Sequence, residues 1–428
     1  MSMCGPGWVS LGKCRSLKQG MFPRLLFLAV ASIQVIESSG ADWNQHLGSS
    51  RNGVSMETNL LSRFTGELPK KVWDYDIGEG WSAPVVSQKK AFIFYRKDDK
   101  ETLDCLDLTN GKKIWTHSYP THYRDSFGFE EGPRGTPAID EQQVYCFGAE
   151  GTLTCLALKD GKEIWSVNSQ KMFDAKNGFF GMACSPLVFE KNVILNIGGD
   201  NAGVVSWDKQ DGKVRWKATA DEASYSSPVV AKFDGQSRII AFTREGLAGI
   251  DPENGRVKFD KHWRSASHAS VNAATPLVES NMVFLTSSYD TGATLLRVEK
   301  DKVSAIWASD DFLSSHYSTP VLHDSFLYGF HGRQEQGAAL RCIDFKTGKV
   351  QWEKAGFGTG TIISAGSLLL ILSEQGELVL VKANATGYSE MGRRQILGTG
   401  VRAHAALSDG FYLARDKRKL VCLDLRGN

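Results

Sequence analysis

From about residue 70 onward, apolar positions alternate with polar ones at a period of two. Val144-Tyr-Cys-Phe147, Val193-Ile-Leu-Asn-Ile197, Val283-Phe-Leu285 and Leu368-Leu-Leu-Ile-Leu372 are β-rich runs bounded by Gly and Asp turns. They predict strands rather than helices. Six runs open with a small residue and a proline: Ser82-Ala-Pro-Val-Val86, Gly135-Thr-Pro-Ala-Ile139, Cys184-Ser-Pro-Leu-Val188, Ser226-Ser-Pro-Val-Val230, Ala274-Thr-Pro-Leu-Val278 and Ser318-Thr-Pro-Val-Leu322. Gly360-Thr-Ile-Ile363 and His404-Ala-Ala-Leu407 are degenerate copies, which makes eight units. Their spacing of roughly 41 to 53 residues suits a four-stranded propeller blade better than a helical hairpin or a leucine-rich repeat.

Within each unit a strand ends in apolar-Asp-apolar or a relative of it and runs into a tight turn. The turns are Asn110-Gly-Lys112, Asp160-Gly-Lys162, Asp211-Gly-Lys213, Asn254-Gly-Arg256 and Thr347-Gly-Lys349, with Gly supplying the positive φ. An aromatic follows at a fixed distance: Trp115, Trp165, Trp216, Phe259, Trp307 and Trp352. An outer-strand indole that packs over the next blade, with its N–H on a backbone carbonyl, would tie neighbours into a girdle. Blade seven has no aromatic at this place after Ala385-Thr-Gly387, which predicts a weak seam.

The last unit breaks off. Cys422-Leu-Asp-Leu-Arg-Gly-Asn428 repeats Cys105-Leu-Asp-Leu-Thr-Asn-Gly111, and the missing continuation stands near the start as Lys70-Lys-Val-Trp73. A unit split between the two ends implies a closed ring, with Lys71-Val-Trp73 beside Leu420-Val-Cys-Leu-Asp424 and Trp73 completing the girdle. The expected organisation is a signal peptide over 1–41, an extended segment over 42–69 and an eight-bladed, all-β propeller over 70–428.

The repeat Pro-apolar-apolar, Gly turn, apolar-Asp-apolar-x-x-Gly-Lys-x-x-Trp resembles that of the pyrroloquinoline-quinone (PQQ)-type β-propellers over nearly all of 70–428. That superfamily holds eight-bladed quinoprotein dehydrogenases and also non-enzymatic propellers, among them the propeller lipoprotein of bacterial outer-membrane barrel assembly. The resemblance therefore implies either a binding scaffold or a PQQ- and calcium-dependent oxidoreductase. Against the second, the chain is close to a bare propeller, has no adjacent Cys-Cys pair and offers no Glu, Asn and Asp set for calcium by motif. No cofactor and no metal is the leading expectation, and no catalytic residue is assigned. Trp43-Asn-Gln-His-Leu-Gly48 with Arg51-Asn-Gly53 resembles an N-terminal motif of secreted propellers and is expected to cross the ring as an extended segment.

Charge changes this picture little. With 50 basic and 48 acidic residues the net charge is +2, so no polyanion-binding surface and no nucleic-acid partner are expected. Arg24 followed by the apolar run 25–36 and Ser39-Gly40-Ala41 reads as a secretory signal, with Met21 as an alternative start. The run is short for a membrane span and no lipoprotein cysteine follows it, so the chain is placed in a periplasm or outside the cell. Loss of the leader would remove Cys4 and Cys14. Cys105, Cys155, Cys342 and Cys422 share one repeat position and read as small core residues. A turn near Glu150-Gly151 would set Cys146 opposite Cys155, and a disulfide there stands as the alternative to two buried thiols.

Chemistry is left to the unrepeated positions. Three residues before each opening Pro, or at the equivalent place, stand Trp81, Arg134, Ala183, Tyr225, Ala273, Tyr317, Gly358 and Arg402. They should ring one channel mouth, where Trp81, Arg134, Tyr225, Tyr317 and Arg402 form a candidate rim for a protein or carbohydrate-like partner. The competing reading is that they plug the channel and pair with neighbouring loops. The long connection between Trp115 and Pro137 carries His117, His122, Tyr123, Arg124, Asp125, Glu130 and Glu131, and Asn177-Gly-Phe-Phe180 offers aromatics that could be a partner patch or a plug. His262, His268, His316 and His404 lack ligand spacing, and Ser224, Ser226 and Ser227 follow the small-residue pattern before Pro.

Overall fold

Proline at the head of six inner strands and Asn-Gly or Asp-Gly at four outer hairpins favour one arrangement for the unit, a four-stranded antiparallel meander. The computed structural model describes residues 42–268 and 270–427, and the leader read over 1–41 lies outside them. Eight such sheets form an eight-bladed propeller. Blade one, for example, runs from the inner strand Val85–Ser87 through Lys90–Lys97 and Lys100–Asp107 to the outer strand Lys113–Pro120. Blade eight takes Ala406–Ser408, Phe411–Arg415 and Lys419–Asp424 from the end of the chain and Lys70–Asp76 from near its start. The register is the expected one, with Trp73 opposite Cys422 and Tyr75 opposite Leu420.

Buried residues gather between blades rather than at one centre. Phe92, Leu103 and Cys105 of blade one pack against Ile139, Val144 and Cys146 of blade two. Tyr145, Leu153 and Cys155 on the other face of blade two pack against Val193, Leu195 and Trp207 of blade three. This alternation overturns the Cys146–Cys155 disulfide. Cys146 lies opposite Thr154 and Cys155 opposite Tyr145, so the register is one residue from that needed and the thiols point to opposite faces. Both are buried and free.

The girdle is a seam between each outer strand and the next blade's turn. Indole Nε1–H groups donate across it from Trp73 to Leu108 O (2.8 Å), Trp115 to Leu158 O (3.1 Å), Trp165 to Lys209 O (3.1 Å) and Trp216 to Pro252 O (2.8 Å). Trp307 reaches Phe345 O (3.1 Å) and Trp352 reaches Asn384 O (2.8 Å). The turn glycines are needed twice over. At Gly212, φ is +70° and a Cβ would lie 2.7 Å from the Trp165 ring; at Gly255, φ is +74° and a Cβ would lie 2.8 Å from Trp216. Phe259 has no N–H to donate, and the turn it faces in blade five, Lys300-Asp301, has no glycine.

Blade seven solves its missing aromatic from elsewhere. Gly392 occupies the position, opposite Leu380, and Phe64 of the N-terminal segment fills the space, so that a Cβ on Gly392 would meet Phe64 Cβ at 2.6 Å. Phe64 is buried with Leu378, Leu380 and Leu397, its N–H donates to Met391 O (3.3 Å), and Arg394 donates to Leu68 O (2.9 Å). The seam expected to be weak is covered.

The segment before the ring is not extended, which corrects the expectation for Trp43–Gly53. Residues 45–53 form successive turns, with Leu47 and Arg51 at positive φ. They close one mouth of the channel. Ile139 N–H donates to Asn44 O (2.8 Å), Arg51 donates to Ser185 O (3.2 Å) and Pro186 O (2.9 Å), and Ser364 N–H donates to Gly53 O (2.9 Å). Val54–Ser55 then adds a short parallel strand to the inner edge of blade seven. Inner-strand backbone that would face an open channel is thereby hydrogen-bonded.

Two expectations follow. Gly212→Ala, forced onto the Trp165 ring, should lower the melting temperature clearly more than Gly235→Ala, whose φ of +80° is similar but which has nothing within 4 Å and so loses only about 1–2 kcal/mol of backbone preference. Phe64→Ala should cost on the order of 3 kcal/mol, the price of a buried aromatic, read as a lowered denaturation midpoint.

Candidate functional site

Small hydroxyl residues before the opening prolines set the geometry of the other mouth. Ala83 N–H donates to Thr136 Oγ1 (3.2 Å), Thr136 N–H to Ser185 Oγ (2.9 Å), Ser185 N–H to Ser227 Oγ (2.9 Å) and Thr275 N–H to Thr319 Oγ1 (2.9 Å). At these four junctions a hydroxyl receives the amide of the blade before it, which accounts for Ser227 structurally. Ser224 is likewise engaged, accepting from Asn196 Nδ2 (2.8 Å). These bonds fix the strand heads whose preceding loops form the rim.

The rim encloses a cavity of about 470 Å³, and Trp81, Arg134, Tyr225, Tyr317 and Arg402 all line it, as do Ala183 and Ala273. Gly358 does not. The five are joined with Phe180 into one stacked ladder. Arg402 Cζ lies 5.5 Å from the Tyr317 centroid and 4.8 Å from that of Trp81, and Arg134 Cζ also lies 4.8 Å from the Trp81 centroid. Arg134 is also 5.4 Å from Phe180, whose ring is 5.7 Å from Tyr225. Guanidinium groups on an indole face are held by the ring quadrupole as well as by packing.

Most polar groups of this ladder have partners inside the protein. Arg134 donates to Phe180 O (2.7 Å) and Glu130 O (3.2 Å) and pairs with the fully buried Asp125 carboxylate (3.3 Å). Tyr317 OH donates to Glu374 Oε1 (2.6 Å), which also receives Arg402 Nε (2.9 Å). Burial, and then the Glu374 charge, push the Tyr317 phenol well above its ordinary range. Tyr225 OH accepts the Phe180 N–H (2.9 Å), and burial raises its pKa too.

Two imidazoles that sequence spacing did not connect meet at the lining. His46 belongs to the turns that close the far mouth and His404 to the head of blade eight; their rings stack edge-on at 5.3 Å. Burial lowers the His404 pKa to about 4, while burial and then the neighbouring His404 lower that of His46. Both are neutral at pH 7, and both Nδ1 atoms are buried without a protein partner among the described residues. Of the other candidate histidines, His316 also lines the cavity but has its own partners, and His117 lies elsewhere. His117 lies near Glu163, and His316 is held by Gln334 Oε1 (3.0 Å) and Tyr289 OH (3.2 Å). Among the described residues no three His, Cys, Asp or Glu side chains gather as a cation site.

The long loop is folded around Asp125, whose carboxylate accepts the N–H groups of Phe127 (3.0 Å), Phe129 (3.1 Å) and Glu130 (3.0 Å). It presents Phe127 and Phe129, 56% and 53% exposed, against Phe179 and Phe180 at centroid distances of 5.5 to 6.3 Å. Phe127 and Phe129 escaped the sequence reading because they stand in no repeat; their place between turn residues was the only signal.

The family model described as outer membrane protein assembly factor BamB matches residues 99–354. The chain belongs to this family. Among solved structures, BamB from Moraxella catarrhalis is similar at 12% identity with a TM-score of 0.61, over 84% of this chain and 99% of that one. The quinohemoprotein alcohol dehydrogenase from Comamonas testosteroni is similar at 13% identity with a TM-score of 0.64, over 90% of this chain and 81% of that one. The computationally designed Ika8 protein is similar at 12% identity with a TM-score of 0.56, over 82% and 98%. At these identities the shared property is the propeller. No curated protein sequence matches the chain. No described helix of this family member is long and apolar enough to cross a membrane.

The histidine pair makes a pH signature. Because the folded His404 pKa (about 4) lies below the unfolded value near 6.5, its contribution to stability is complete above pH 6.5 and is lost as pH falls towards 4. His404→Asn should therefore flatten the decline in denaturation midpoint between pH 6.5 and 4 relative to the parent protein.

Proposed function

We propose that this propeller is a secreted binding scaffold of the cell envelope, taking a protein or carbohydrate-like partner at its open channel mouth. The observation that carries the reading is the stacked ladder from Tyr317 to Tyr225 around a cavity whose far mouth is closed by the N-terminal turns. A blind, aromatic-walled recess on a rigid ring holds a ligand without moving the scaffold. The family model's description as an outer-membrane assembly factor supports an extracytoplasmic setting.

The second reading is a PQQ- and calcium-dependent oxidoreductase, favoured by the likeness to a quinohemoprotein alcohol dehydrogenase. The residues around the cavity do not fit calcium. The carboxylate in its lining, Glu335, is already paired with Arg333 at 3.1 Å, and Glu374, behind the lining, is paired with Arg402 at 2.9 Å. A hard cation would have to displace these arginines, which are always charged.

With the secreted chain as bait in extract of its native envelope, capture should fall at least tenfold for the Trp81→Ala, Arg402→Ala double variant. Lys162→Ala, at an exposed outer turn, should leave capture unchanged. Thermal melts check that the double variant is folded. Capture that survives the double change sinks the reading, as does dye-linked alcohol oxidation on addition of PQQ and Ca²⁺.

A further inference from the structure

We infer that the cavity, with the phenylalanine shelf at its edge, forms one docking site for an extended polypeptide segment. That segment places a large apolar side chain in the cavity and an acidic group on Arg402. The inference rests on the binding reading above and narrows it to one class of partner.

The lining leaves few donors and acceptors for a sugar: Arg402 keeps its two terminal nitrogens, while the unpartnered Trp81 Nε1, Arg134 Nε and Nδ1 atoms of His46 and His404 are buried. Arg134, Tyr317, Arg333 and His316 each spend hydrogen-bonding capacity on a protein partner, as described for the ladder and its neighbours. A buried sugar hydroxyl left without a partner costs about 1–3 kcal/mol, and a sugar brings several. An apolar side chain brings none, and aromatic walls suit it.

The apolar surface also continues outward. From Phe180 in the wall it passes at 5.5 Å to Phe127, which stands more than half exposed on the outer rim with Phe129 beside it. Exposed aromatic rings on a loose loop would fold inward. These are held out by the three amides on Asp125 and by Lys417 Nζ, which donates to Phe129 O (2.6 Å). Both rings belong to the lining of the cavity's mouth, yet each is more than half exposed; a small molecule seated against Trp81 and Tyr317 would leave that exposed area in water, whereas a chain segment running out over the rim covers it. Preorganised aromatic contact area of this kind is what interface hot spots are made of.

Charge selects the segment. Arg402 gives Nε to Glu374, yet its two terminal nitrogens have no acceptor among the described residues, and its side chain is 28% exposed. They are suited to a carboxylate at the boundary between cavity and solvent.

The test is selection of phage-displayed random dodecapeptides on the full secreted chain, with a glycan array run in parallel. Enriched peptides are expected to carry a large apolar residue with Asp or Glu close by in sequence. Binding of a selected peptide should weaken at least tenfold in the Phe127→Ser, Phe129→Ser variant, whose substitutions are at exposed positions. Arg402→Gln should erase the preference for the acidic peptide over its Asn or Gln counterpart. Absence of enrichment, enrichment without apolar residues, indifference to the shelf variant, or oligosaccharide binding that Trp81→Ala abolishes would each overturn the inference. If capture from envelope extract still depends on Trp81 and Arg402 while peptides fail, the polypeptide site falls and the scaffold reading stands.

Discussion

Pairing of Lys70–Asp76 with Lys419–Asp424 is the interaction on which the molecule depends. Every blade buries its two faces against two neighbours, so a ring open at one place would expose an apolar sheet face on each side of the gap and an unpaired strand edge in blade eight. Closure by the two parts of the chain removes both. It also brings Trp73 over the blade-one turn, which continues the tryptophan seam across the join.

Closure leaves one liability, the channel on the axis. Its inner strands carry backbone groups that the blades do not satisfy, and the N-terminal turns meet them at one mouth while Phe64 of the same segment repairs the seam of blade seven. One short stretch thus serves two structural needs. The other mouth keeps its recess because the rim loops bond to one another through Arg134, Asp125, Tyr317 and Glu374 instead of filling the axis. Of the two readings of the rim, internal pairing is what the contacts show: it fixes the ladder, and the fixed ladder walls the cavity.

Likeness to a BamB structure and to a quinohemoprotein dehydrogenase illustrates how little of either function lies in the repeat. The repeated residues are spent on strand heads, turns and girdle. What distinguishes one such ring from another is the rim, and here the rim offers apolar surface, paired charge and one arginine with donors to spare.

Repetition made most of this architecture legible from the amino-acid sequence. Prolines, Asn-Gly and Asp-Gly turns and spaced tryptophans each recur, so overlapping local preferences spread over eight units fix blade number, strand order and the split last blade. Positions three before each proline were equally readable, because a shared place in the repeat means a shared place on the mouth. Tertiary structure decided the features that have one copy. The register separating Cys146 from Cys155 depends on where a single hairpin pairs, and one residue of slip reverses the faces. Burial of Phe64 against Gly392, the meeting of His46 with His404 and the shelf built on Asp125 join residues distant in sequence or held by a unique loop. No period announces such contacts, since they arise from packing in three dimensions and not from the local conformational preferences that a repeat makes visible.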